Sequence, residues 1–272
     1  MKLTCYGTAA AEAIPALYCS CPLCEKAREL GGREIRSRHS STVDKDIQFD
    51  LSPDFFYQIQ CLGLEPRSIN HLIITHTHGD HFDMDTLNKR ISPFSLVLDH
   101  ELEVIGSQKT IDVVKESMAE DLDQQGLRLT VIKPYETLSL DAQTKLTALP
   151  ANHAPGLEAM IYLLERNGKK LLYAHDTGPL FEEVLSFLAG KQIDAATLDC
   201  TGSYHGAGPH HMQLSSCEEA VAMLRANGAL QKDALIMINH HSHGGGALYQ
   251  QLAKEAEDRH WVAAYDGLEI SI

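Results

Sequence analysis

The chain has 272 residues, 44% of them hydrophobic and 22% charged, with a formal net charge of −14. That balance fits a soluble globular protein with a substantial core, and no apolar run approaches the length needed to span a bilayer. The acidic surplus excludes broad contact with nucleic-acid phosphates, which takes Lys and Arg, but is compatible with a small anionic substrate at a bound metal.

Apolar runs bounded by Gly, Pro, Asn or Asp predict strands over 2–7 (KLTCYG), 46–51 (DIQFDL), 71–75 (HLIIT), 94–98 (FSLVL) and 127–133 (LRLTVIK). Further strands are expected over 145–150, 160–165, 169–174, 194–199 and 234–239, and within 261–271. Asn167-Gly168 between two such runs is a type I′ hairpin signal. Helical spacing appears in 179–190, 215–228 and 247–260, the second opening on Ser215-Ser216 and closing on Asn227-Gly228. Early strands followed by alternating strands and helices imply two packed sheets covered by helices, as one domain over residues 1–272. No apolar segment of signal-peptide kind follows Lys2, so a cytoplasmic protein with reduced thiols is expected.

Residues 74–81 read ITHTHGDH. On an extended segment His76 and His78 leave the same side and can share one ion. Gly79 permits a sharp turn that aims Asp80 and His81 at a neighbouring position. Four such groups in one short loop suit two adjacent ions, and imidazole with carboxylate suits Zn, Fe or Mn rather than Ca or Mg. Three more ligand types stand where apolar strands give way to Gly or Pro: His153 in LPANHAPG, Asp176 in LLYAHDTG and His240 in IMINHHSHGGG. The two oxygens of Asp176 can bridge two metals. Asp50, at the close of IQFD, is a candidate either to orient a ligand imidazole or to cap a turn.

Three of the seven cysteines fall within CSCPLC. Cys19, Cys21 and Cys24 supply three thiolates for one tetrahedral structural zinc, with His243 the best fourth ligand. A redox role is disfavoured, because the sequence around Pro22 reads as a loop rather than the opening of a helix in a βαβ unit.

The pattern H-x-H-x-D-H with a distant His, Asp and His resembles the metallo-β-lactamase superfamily. That resemblance implies an α/β fold, an αββα four-layer sandwich with a two-metal site at one edge. It places His76, His78 and His153 at one metal and Asp80, His81 and His240 at the other, with Asp176 bridging. The segments GTAAAEAIPALYCSCPLCEKAR, THTHGDH, NHA, DTG, LDCTG, NHHSH and YDGLEI further resemble the phosphoribosyl cyclic phosphodiesterases of phosphonate breakdown. They imply two divalent metals (Mn, Zn or Fe), one structural Zn, a small anionic substrate and a homodimer. Asp80 and His211 are then the catalytic candidates, with His205 and His210 as rivals of His211 for contact with the substrate phosphate. The family's Gly-Leu pair after the main motif is absent from DHFDMDTLNKR, so the pocket is expected to differ. The leading expectation is a phosphodiesterase. A thioester or lactone hydrolase and a non-catalytic cofactor-biosynthesis binding protein are the alternatives.

Overall fold

The computed structural model describes residues 1–90, 92–118 and 126–272. One seven-stranded sheet takes β1 (Lys2–Gly7), β2 (Ser40–Val43), β3 (Ile47–Phe49), β4 (His71–Ile73), β5 (Leu102–Gly106) and β6 (Leu127–Val131), with β14 (Leu268–Ser271) beside β1. The second takes β7 (Thr137–Ser139), β8 (Thr144–Pro150), β9 (Met160–Arg166), β10 (Lys169–Ala174), β11 (Ile193–Asp199), β12 (Leu230–Asn239) and β13 (Val262–Ala263), in that spatial order. In each sheet one half is antiparallel and the other parallel. The parallel steps are β3 to β6 in the first and β10 to β13 in the second.

The sheets pack face to face. Leu3, Ile47, Phe49 and Ile73 of one meet Leu146, Tyr162, Leu171 and Tyr173 of the other in a buried cluster. Phe49 stacks on Tyr173 with ring centroids 4.1 Å apart, a geometry worth about 0.5–1.5 kcal/mol beyond the area it buries. Helices α5 (Glu182–Leu188), α6 (Leu214–Ala226) and α7 (Tyr249–Asp258) follow from their apolar stripes. They bury Val184, Leu188, Cys217, Val221 and Leu252 against the outer face of the second sheet. On the far side of the first sheet, α4 (Gln108–Met118) buries Ile111, Val114 and Met118, α2 (Phe55–Leu62) contributes Phe55 and Ile59, and the short α3 (Met84–Leu87) buries Leu87. Helix, sheet, sheet, helix is therefore the layer order. Among the described residues no helix is long and apolar enough to cross a membrane.

Several expectations need correction. Residues 94–98 form no strand: Phe94, Leu96 and Val97 are exposed. The strand lies at β5, whose five residues are all buried. Helix α6 starts at Leu214, so Ser216 acts from inside its first turn, where its hydroxyl accepts from Gln213 N–H at 2.8 Å. The Cys cluster does open a helix, α1 (Pro22–Leu30), with Cys21 as its N-cap. The Asn167-Gly168 hairpin forms as expected, with both residues at positive φ and Arg166 paired to Lys169.

Candidate metal centre

The ends of four strands, three from parallel parts of the sheets and one antiparallel, converge on one edge of the sandwich. His76 to His81 follow β4, His153 follows β8, Asp176 follows β10 and His240 follows β12. Three polar residues at such strand ends, Asp50, Asp176 and His240, have φ between 46° and 62°. Few non-glycine residues adopt that left-handed backbone, and it concentrates where a side chain must be aimed. Gly79 is different: its φ is not positive and a Cβ there would meet nothing. The turn is closed instead by His81 N–H and Phe82 N–H, which both donate to His78 O at 3.0 and 2.8 Å. Tyr162 Oη–H donates to Ile74 O at 2.8 Å and Met160 N–H to Thr75 O at 2.9 Å, so the second sheet holds the loop from behind.

Three overlapping candidate groups result among the described residues, all sharing Asp176: the two described next and a third of Asp176, Asp199, His211 and His240. His76, His78, His153 and Asp176 have their ligand atoms within 4.8 Å of one another, as do Asp80, His81, Asp176 and His240. In the first group His76 Nε2 lies 2.8 Å and His153 Nε2 3.3 Å from His78 Nδ1. In the second, His81 Nε2 lies 3.1 Å from His240 Nε2 and 3.3 Å from Asp80 Oδ2. Asp176 Oδ2 is 3.2 Å from His76 Nε2 and 3.1 Å from His81 Nε2, so a single oxygen touches both groups. Asp176 Oδ1 is 3.0 Å from His240 Nδ1, yet it is buried and makes no hydrogen bond. Two nitrogens bound to one tetrahedral ion at ~2.0–2.1 Å would stand ~3.3 Å apart. The observed spacings and the orphaned Asp176 oxygen therefore fit metal ligation.

Buried partners aim the imidazoles. His81 Nδ1–H donates to Asp50 Oδ2 at 2.7 Å, while Asp50 Oδ1 accepts from Thr75 N–H at 2.8 Å. The Asp50 carboxylate therefore both orients a ring and holds the turn. Thr201 Oγ1 sits 2.8 Å from His240 Nδ1. Burial would lower the pKa of His81, but Asp176, Asp50 and Asp80 around it hold it well above the usual range. For His153 burial wins, and its pKa falls to about 4.

His211 reaches the same edge. Its Nδ1–H donates to Asp199 Oδ2 at 2.9 Å and lies 3.6 Å from Asp176 Oδ1. Burial pulls its pKa down, but the bond to Asp199 outweighs this and lifts it to about 8. Asp199 had not been anticipated from the sequence, although it closes the strand DAATLD as Asp50 closes IQFD. It is fully buried and also accepts backbone N–H bonds from Thr177, Thr201 and Met212. Of the rivals to His211, His210 offers its carbonyl to His153 Nδ1 at 3.3 Å, while His205 stands over Gly246 and outside the ligand groups.

The cysteine group assembles separately. Cys19, Cys21, Cys24 and His243 offer ligand atoms within 4.8 Å of one another. His243 Nδ1 is 3.6 Å from Cys21 Sγ and 3.4 Å from Cys24 Sγ. Tetrahedral zinc with these ligand types would set each S–N pair ~3.5 Å apart. The His243 ring lowers the Cys21 thiol to about 6. Glu12 hydrogen-bonds Ser242 and lies 3.7 Å from His243 Nε2. His240 and His243 share one loop, so the cysteine group also fastens the segment that carries a ligand of the main centre.

Similarity to known proteins agrees with this geometry. Residues 46–238 match the family described as the Beta-lactamase superfamily domain. A UPF0173 metal-dependent hydrolase of Alkaliphilus metalliredigens is 25% identical over 162 residues, spanning 60% of this chain and 66% of that protein. Among solved structures, a diphosphatase from the PhnP family superposes with a TM-score of 0.74 at 20% identity, covering 99% of this chain and 96% of the other. Zn(2+)-bound PqqB from Methylobacterium extorquens gives 0.71 at 18%, with both chains fully covered. Human tRNase Z, short form, gives 0.67 at 17%, covering 100% and 99%. The chain thus belongs to the metallo-β-lactamase superfamily of hydrolases.

Proposed function

We propose that this chain is a metal-dependent phosphodiesterase acting on a small anionic ester, with two divalent ions, Mn, Zn or Fe, on the ligand groups that share Asp176. The carrying observation is that shared carboxylate, buried between five imidazoles and Asp80. Two ions so placed supply a water activated near neutral pH and neutralise charge developing at phosphorus. The protein's own part is positional. Asp50 and Thr201 fix the rings of His81 and His240, and Asp80 and Asp176 balance the cations.

His211 serves the leaving group. Asp199 engages its Nδ1, and among the described residues its Nε2 has no hydrogen-bond partner, so Nε2–H is the donor left for a departing alkoxide oxygen. A phosphate ester of an alkyl alcohol uses such a donor fully, because its leaving alkoxide is strongly basic, whereas a 4-nitrophenolate leaves without one. The similarity to a PhnP-family diphosphatase supports a phosphorus substrate, and the net charge of −14 disfavours a polymeric nucleic acid. The cysteine group with His243 would hold a structural zinc, and the chain acts as one domain.

Turnover of bis(4-nitrophenyl) phosphate tests the reading. Wild-type protein should hydrolyse it, chelation should abolish the activity, and Asp176→Ala should lack it. Hydrolysis of thioesters or lactones with no diester turnover would overturn the phosphodiesterase assignment.

A further inference from the structure

A cleft of about 550 Å³ opens directly beside His153, within the size range of small-molecule sites. Its walls are apolar: Val131 at the end of β6, Ile132 and Pro134 just beyond it, Met160 at the start of β9, and Phe181 ahead of α5. Phe181 is 39% exposed there, an aromatic face presented to the cleft rather than to the core. Several polar groups around it are engaged, although His210 Nδ1, also in the lining, is buried with no hydrogen-bond partner among the described residues. Gln108 Nε2 donates to Asp112 at 2.7 Å, Asn152 Nδ2 to Pro179 O at 3.2 Å, and Glu158 Oε2 accepts from Lys109 N–H at 3.1 Å. Lys133 differs from these neighbours. It lines the same cleft, is exposed, and its ammonium has no ion-pair or hydrogen-bond partner among the described residues.

From this arrangement we infer that the cleft receives the non-reacting part of the substrate, an aromatic or short alkyl body that ends in a second anionic group paired with Lys133. The inference rests on the reading of the metal centre as a phosphate-ester site.

Calorimetric binding of three phosphonates to the metal-loaded protein tests it. Phenylphosphonate should bind roughly 10-fold tighter than methylphosphonate, from the ring buried against Phe181 and Met160. 4-Carboxyphenylphosphonate should bind roughly threefold tighter still, the scale of an exposed ion pair. Lys133→Ala should remove the carboxylate increment and leave phenylphosphonate unchanged, while Phe181→Ala should narrow the gap between phenyl and methyl. Both side chains are exposed, so the fold should survive either change. Equal binding of methyl- and phenylphosphonate, failure of all three to bind, or a carboxylate increment that persists in Lys133→Ala would overturn the inference. Failure of the phosphodiesterase reading shows separately, as absent turnover of bis(4-nitrophenyl) phosphate.

Discussion

Asp50, just after β3, and His81, in the loop that follows its parallel neighbour β4, meet at 2.7 Å with both side chains fully buried. The contact joins one strand end to the next and sets which ring nitrogen of His81 faces Asp80, Asp176 and His240. Partners of this kind, one step removed from a metal, typically tune affinity 10–100-fold. Asp50→Asn should therefore weaken binding of the second ion by roughly that factor and lower turnover in parallel, with the circular dichroism spectrum unchanged. Metal titration of the two proteins makes the comparison.

His211 carries a pKa of about 8, because the Asp199 hydrogen bond overcomes the effect of burial. A proton donor is active in its charged form, so turnover should fall as pH rises through about 8. Asp199→Asn removes the negative charge that favours the charged ring, and the fall should move to lower pH. In His211→Ala that limb should vanish. Profiles of kcat against pH for the three proteins provide the check.

Cys21 caps α1 and faces His243 across 3.6 Å. Cys21→Ser should release one zinc equivalent and lower Tm by roughly 4–5 °C, as a loss of ~2–3 kcal/mol does in a domain of this size. The catalytic ions should stay. Elemental analysis with a thermal melt reads both outcomes.

Asp266 joins distant parts of the chain: Thr8 Oγ1–H donates to it at 2.7 Å, Ser37 N–H at 2.6 Å and Ser37 Oγ–H at 2.7 Å. The fully buried guanidinium of Arg36 lies in the same network and donates to Thr8 Oγ1 at 3.1 Å. Asp266→Ala would leave two donors, Thr8 Oγ1–H and Ser37 N–H, without their acceptor and remove a carboxylate that favours the charged Arg36, so a destabilisation of ~2–4 kcal/mol is expected. Urea unfolding measures it.

The residues that converge on the candidate metal centre are legible because they follow strand ends locally, where imidazoles and carboxylates stand together in the sequence. Position in space was less legible. β5 escaped notice because Glu103 interrupts its apolar run, and that carboxylate is held by His71 and Arg128, each at 2.9 Å. Residues 94–98 misled in the opposite direction, since their apolar side chains stay at the surface. β2 is hidden further, being Ser-Ser-Thr-Val with every residue buried between strands. Helix α2 buries Gln58 while exposing Phe56, against the usual pattern. Asp199 escaped for another reason: its partners come from residues 177, 201, 211 and 212, and only the fold brings these together.

Metal content per chain tests the shared Asp176 most directly. Elemental analysis of wild-type protein should give three equivalents, one of them zinc at the cysteine group, and Asp176→Ala should keep that zinc while losing the other two. Asp176→Ala with undiminished metal, or wild-type protein holding a single ion, would contradict a centre built around one bridging carboxylate.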